Sequence, residues 1–165
     1  VLDGGLDGWK TQGRPLETAL PDFPSATFKT DFDASRVVGF EAMQEIVADG
    51  SRQIADARGP GRFNGTEPEP RAGMRSGHMP GAVNLPSGVF ANKGYFKSLP
   101  ELREIITGAG VDLGQPVVTT CGSGITAAII TLALESLGHT DIKLYDGSWS
   151  EWGSHADTAI VTGKE

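Results

Sequence analysis

The chain of 165 residues holds one cysteine, and its neighbours are the most informative residues in the sequence. It lies in Thr119-Thr120-Cys121-Gly122-Ser123-Gly124-Ile125-Thr126-Ala127. A strand-like run enters the cysteine, a small glycine-rich loop follows, and an apolar helical run begins. Gly122 and Gly124 let such a loop curl until successive backbone N–H groups converge on one point. The helix behind it directs its positive end to the same place. A thiolate there is expected to have a lowered pKa, to be accessible at the mouth of the loop and to act as a nucleophile at neutral pH. The same cradle suits the anion of a cysteine persulfide. A lone cysteine is more often an inert core residue, but packing gives no reason for a Gly-Ser-Gly context, and the reactive reading is preferred.

Other chemistry-bearing side chains are sparse. His78 is a conceivable general base, yet its Gly77-His78-Met79-Pro80-Gly81 setting reads as a tight turn locking a strand entry, a structural role. His139 follows the helix-ending Gly138 and suits the negative helix end, and His155 lies in a polar tail. Nothing gathers three metal ligands, so no metal and no other cofactor is expected. Asp56, at a strand end, is expected to pair with a loop arginine. Trp149 and Trp152 are expected to pack the carboxy-terminal edge. Arg62 and Arg71 lie in a loop rich in Gly and Pro and, taken alone, read as solvated surface arginines.

The elements that must position Cys121 alternate in type. Val37-Val38, Gln53 to Ala55, Ala82 to Leu85, Pro116 to Thr120 and Asp141 to Tyr145 read as short strands. Helical spacing marks Phe40 to Ala48, Leu99 to Ile106 and Ile125 to Leu137, the last stopped by Gly138. A long loop runs from Arg58 to Pro80. Alternation of this kind predicts an α/β fold with a central parallel sheet and helices on both faces. Reactive sites in such sheets lie beyond the carboxyl ends of the strands, where Cys121 falls.

With 38% hydrophobic and 21% charged residues, the composition is that of an ordinary globular domain. A net charge of -7 argues against nucleic-acid binding. No apolar run is long enough to span a bilayer, so no membrane association is expected. A single cysteine makes a reducing, cytoplasmic compartment the default.

Cys121 to Ala127 resembles the active-site loop of the rhodanese superfamily and, within it, of the 3-mercaptopyruvate sulfurtransferases. Gly77-His78-Met79-Pro80-Gly81-Ala82-Val83-Asn84 resembles the superfamily's Gly-His-apolar-Pro-Gly-Ala signature, and Asp146-Gly147-Ser148-Trp149 its closing motif. Asp56-Ala57-Arg58, Gly61 to Gly65 and Glu67 to Arg71 look like the family's substrate-side loop. The resemblance implies a rhodanese-like domain that passes sulfur from a small-molecule donor, through a Cys121 persulfide, to cyanide, a small thiol or a thioredoxin-like protein. It implies a catalytic loop of Cys121, Gly122, Ser123, Gly124, Ile125 and Thr126, with the Ser123 and Thr126 hydroxyls and the loop amides stabilising sulfur charge. Arg62 and Arg71 would then bind the carboxylate and keto group of 3-mercaptopyruvate, a task suited to the planar guanidinium fork. Thiosulfate-using relatives typically carry basic residues directly after the cysteine, where this chain has Gly122 and Ser123. Phosphatases of similar fold use Cys-x5-Arg, and here Ala127 stands at the arginine position. A thiosulfate donor and a non-catalytic rhodanese module remain as alternatives.

Val1-Leu2-Asp3-Gly4 to Trp9 echoes Leu144-Tyr145-Asp146-Gly147 to Trp152. Residues 1–15 are therefore read as the tail of a preceding rhodanese-like domain, 16–30 as a linker with Pro21 and Pro24, and 31–165 as the carboxy-terminal catalytic domain. The absence of a starting Met is read as truncation or cleavage. In two-domain relatives the first domain contributes to the site, so an amino-terminal rhodanese-like domain is an expected partner.

Overall fold

The computed structural model describes residues 1–163. In chain order its regular elements are α1 (Gly5–Thr11), β1 (Val37–Val38), α2 (Phe40–Asp49), β2 (Gln53–Asp56), α3 (Pro60–Phe63), β3 (Ala82–Asn84), β4 (Ala91–Asn92), β5 (Tyr95–Phe96), α4 (Leu99–Gly108), β6 (Val117–Thr120), α5 (Ala127–Ser136), β7 (Ile142–Tyr145) and α6 (Ser148–Trp152). Five strands form one parallel sheet in the order β1-β7-β6-β2-β3, while β4 and β5 pair as a separate antiparallel hairpin. The expected parallel α/β architecture is present. β6 is the central strand, with Val118 opposite Ile54 on one side and Lys143 on the other.

Each sheet face carries its own core. Ala55, Val117 and Ile142 pack with Leu102 and Ile106 of α4 and Ile130 and Leu134 of α5. Ile54, Val118 and Tyr145 pack on the opposite face with Met43 and Ile46 of α2 and Trp149 and Trp152 of α6. Adjacent residues point to opposite faces of a strand, so where a strand is packed on both sides neighbouring residues must both suit a core. That requirement accounts for Val117-Val118 in β6.

The helices follow their local signals. Glu101 accepts a hydrogen bond from the Ser98 backbone N–H at 2.9 Å and closes the start of α4. Beyond α5, Gly138 has φ +84° and the His139 N–H returns to the Leu134 carbonyl at 3.0 Å, a glycine-dependent stop. Several boundaries shift by one or two residues from expectation, and two differences have a local cause. α5 begins at Ala127 rather than Ile125, because residues up to Thr126 are spent on the turn after Cys121. The loop from Arg58 contains α3, a single turn with Pro60 at its start, too short to produce a periodic pattern.

Candidate active site

Cys121 sits where the chain leaves the central strand, and α6 sets the shape of the loop that follows. The Trp149 N–H donates to the Cys121 carbonyl and the Ser150 N–H to the Gly122 carbonyl, both at 2.9 Å. Ser150 Oγ adds a second hydrogen bond to the Gly122 carbonyl at 2.5 Å. Ser148 Oγ accepts from the Cys121 N–H at 3.2 Å and donates to the Tyr145 carbonyl at 2.8 Å. To make these contacts Ser148 adopts φ +51°, a left-handed conformation uncommon for a residue with a side chain. With the first two carbonyls held by α6, the later N–H groups turn inward.

Burial by itself pushes the Cys121 thiol pKa up. The Thr126 hydroxyl and the backbone N–H groups of Ser123, Ala127 and Thr126 donate to the sulfur and more than offset it, so the pKa lies below the ordinary thiol value. The start of α5 adds its positive end. Gly124 makes this turn at φ +82°, and a Cβ there would lie 2.9 Å from both the carbonyl oxygen and Oδ1 of Asp146. A side chain at position 124 would force the loop away from its support.

The thiol is lowered in pKa as expected, but it is not at the mouth of the loop. Cys121 is 1% exposed, because the donors around its sulfur also cover it. It lines a cavity of about 310 Å³ together with Gly122, Ser123, Ile125 and Thr126. Gly124 is not in the lining and enters only through the turn. Ser123 contributes its N–H to the Cys121 sulfur, and Thr126 both its N–H and its hydroxyl.

Arg62 and Arg71 line the same cavity, so the structure brings both to the cysteine. Arg62 donates from Nε to Glu69 Oε2 at 3.0 Å and pairs with it again through Nη2. Arg71 donates from Nη1 to Ser150 Oγ at 2.9 Å. Glu69, Ser148 and Arg58, which lie in the quoted motifs without an assigned role, and Ser150, which lies outside them, complete the setting. Arg58 is buried, bonded to Asp56, Glu69 and the Gly77 carbonyl, with its guanidinium 4.1 Å over the Trp149 ring. The Asp56 partner is thus the loop arginine expected. A carboxylate between two prolines and two arginines four residues apart was the available signal for Glu69.

His78 is structural. It is buried, stacked on Phe63 at 3.8 Å, and its Nδ1 lies 2.8 Å from the Phe63 carbonyl. Among the described residues no group of His, Cys, Asp and Glu side chains is arranged to hold a metal.

A model of the rhodanese-like domain matches residues 40–155. The chain belongs to the rhodanese-like domain family. This rhodanese domain is 41% identical over 160 residues to 3-mercaptopyruvate sulfurtransferase of Escherichia coli (strain K12), covering 97% of this chain and 57% of that protein. It is 42% identical over 154 residues to thiosulfate sulfurtransferase of Gallus gallus, covering 92% and 52%. Its fold matches the crystal structure of SseA from Escherichia coli, reported for 3-mercaptopyruvate sulfotransferases, with a TM-score of 0.78 and 38% identity over 90% of this chain and 55% of that one. The chain therefore spans about half the length of the relatives it matches. Among the described residues no helix is long and apolar enough to cross a membrane.

Proposed function

We propose that this rhodanese domain is a sulfurtransferase that takes sulfur from 3-mercaptopyruvate onto Cys121 and passes it to a thiol or cyanide. The observation that carries the reading is a low-pKa cysteine lining a cavity that also holds two arginines. The Cys121 thiolate attacks the donor's sulfur and forms an S–S bond. The donor's C–S bond breaks, and its electron pair leaves on carbon as pyruvate enolate, which takes a proton from water. The thiol proton stays with the outer sulfur. A thiolate or cyanide then attacks that outer sulfur and returns Cys121 as thiolate, with no net redox change beyond the sulfur moved. The N–H groups and hydroxyl that hold the thiolate are also suited to the persulfide anion.

Neutral Gly122 and Ser123 next to the cysteine, with Arg71 offering most of its fork, favour a carboxylate-bearing donor. Thiosulfate is the second reading, favoured by the comparable identity to the Gallus gallus enzyme. Thiocyanate production from each donor, with cyanide as acceptor, separates them. A higher kcat/KM for 3-mercaptopyruvate is expected, and a higher value for thiosulfate selects the second reading.

A preceding rhodanese-like domain is proposed as a partner, with residues 1–15 its tail, 16–30 a linker, 31–165 the catalytic unit and a reducing, cytoplasmic location. The echo supports this organisation, since Gly5 at the start of α1 has φ +55° and Ser148 at the start of α6 has φ +51°. Residues 16–30 carry no helix or strand. A thioredoxin-like protein is the proposed macromolecular acceptor.

A further inference from the structure

Among the described residues lining the cavity, three besides Cys121 carry charge: Arg62, Glu69 and Arg71. Glu69 is the one shut away from solvent, its side chain 1% exposed against 28% for that of Arg62. Its Oε1 accepts from Arg58 Nη1 at 2.8 Å, and its Oε2 takes both Nε and Nη2 of Arg62. Arg58 is fixed in turn by Asp56, from Nε at 3.0 Å and from Nη2 at 2.6 Å. Asp56 therefore balances Arg58, and Glu69 balances Arg62. The hydrogen bond of Arg71 goes to a neutral hydroxyl. Apart from the Cys121 thiolate, one positive charge is left over among these groups, and it belongs to Arg71.

We propose that Glu69 is a positioning residue that sets the charge class of the donor. It aims Arg62 by its Nε edge and cancels its charge, so the cavity suits a monoanion such as a keto acid better than a dianion such as thiosulfate. This rests on the sulfurtransferase reading and assigns donor choice to a carboxylate that need not touch the donor. Losing that charge strengthens binding of any anion, and of a dianion about twice as much in free energy as of a monoanion. The affinity ratio between the two classes then moves on the order of tenfold.

The test uses unreactive probes, pyruvate as the monoanion and sulfate as the dianion, with each Kd read from protection of Cys121 against iodoacetamide. In Glu69→Gln the ratio is expected to move about tenfold toward sulfate, while Glu69→Asp, which keeps the charge, stays near the parent. An unmoved ratio in Glu69→Gln overturns the proposal, as does an equal move in both variants or a parent that neither anion protects. If Glu69→Gln loses its cooperative unfolding transition, Glu69→Met decides: it also removes the charge but brings no polar group that needs a buried partner, and the ratio must again move toward sulfate; no movement overturns the proposal. Failure of the underlying reading is seen separately, as a parent whose Cys121 accepts sulfur from neither donor.

Discussion

Replacing Thr126 with valine removes one hydroxyl and nearly preserves shape. Thr126 precedes α5, but its side chain makes no capping hydrogen bond, so the helix loses no cap. The hydroxyl instead donates to Cys121 and leads the contributions that lower its pKa against the opposing effect of burial. A hydrogen bond to a charged group contributes about 1.5–3 kcal/mol. At about 1.4 kcal/mol per factor of ten, its loss raises the pKa and lowers the thiolate fraction well below the midpoint roughly ten- to a hundred-fold. The N–H groups of Ser123, Thr126 and Ala127 remain and can close in on the sulfur, which favours the lower figure. The assay is the rate of Cys121 alkylation by iodoacetamide as a function of pH. The parent should show a midpoint below that of a free thiol. The Thr126→Val midpoint should lie above the parent's, and well below both midpoints the variant should react several-fold more slowly, the greater nucleophilicity of a more basic thiolate offsetting part of the lost thiolate fraction. An unchanged midpoint in a variant that unfolds like the parent would refute the role given to this hydroxyl.

Arg71→Lys keeps the charge and loses the fork; kcat/KM for 3-mercaptopyruvate should fall roughly ten- to a hundred-fold and that for thiosulfate much less, in a comparison of both donors on one preparation. Arg58→Met leaves Asp56 buried without its cation and Glu69 with Arg62 alone, and should cost about 3–5 kcal/mol in urea unfolding. A cost below about 1 kcal/mol would mean that the two carboxylates find other partners.

The sheet was legible because its strands are covered on both faces and so spell short apolar runs, as Val117-Val118 does. α2 and α4 were legible from four-residue spacings such as Leu102 and Ile106, both buried. α3, α6 and the β4–β5 hairpin were not, since elements of two to five residues carry no period. Cys121 announced itself through its glycines. Its burial did not, because the cover comes from donors folding over the sulfur, a three-dimensional consequence of residues that individually read as exposed loop. Glu69 was hidden for a related reason. Nothing in Glu67-Pro68-Glu69-Pro70 separates a solvated carboxylate from a buried one, and only the fold brings Arg58 and Arg62 to either side of it. The Asp146 to Trp149 motif was recognised by likeness alone, and its physical task of holding the Cys121 backbone, through the Ser148 hydroxyl and the Trp149 N–H, appears only in the packed structure.

Every step proposed for this domain depends on Cys121 carrying the transferred sulfur. Intact mass measurement of the chain after brief exposure to 3-mercaptopyruvate tests it most directly. A gain of one sulfur atom is expected, absent in Cys121→Ser and removed from the parent by cyanide. A parent that gains no sulfur, or a gain that persists in Cys121→Ser, would contradict it.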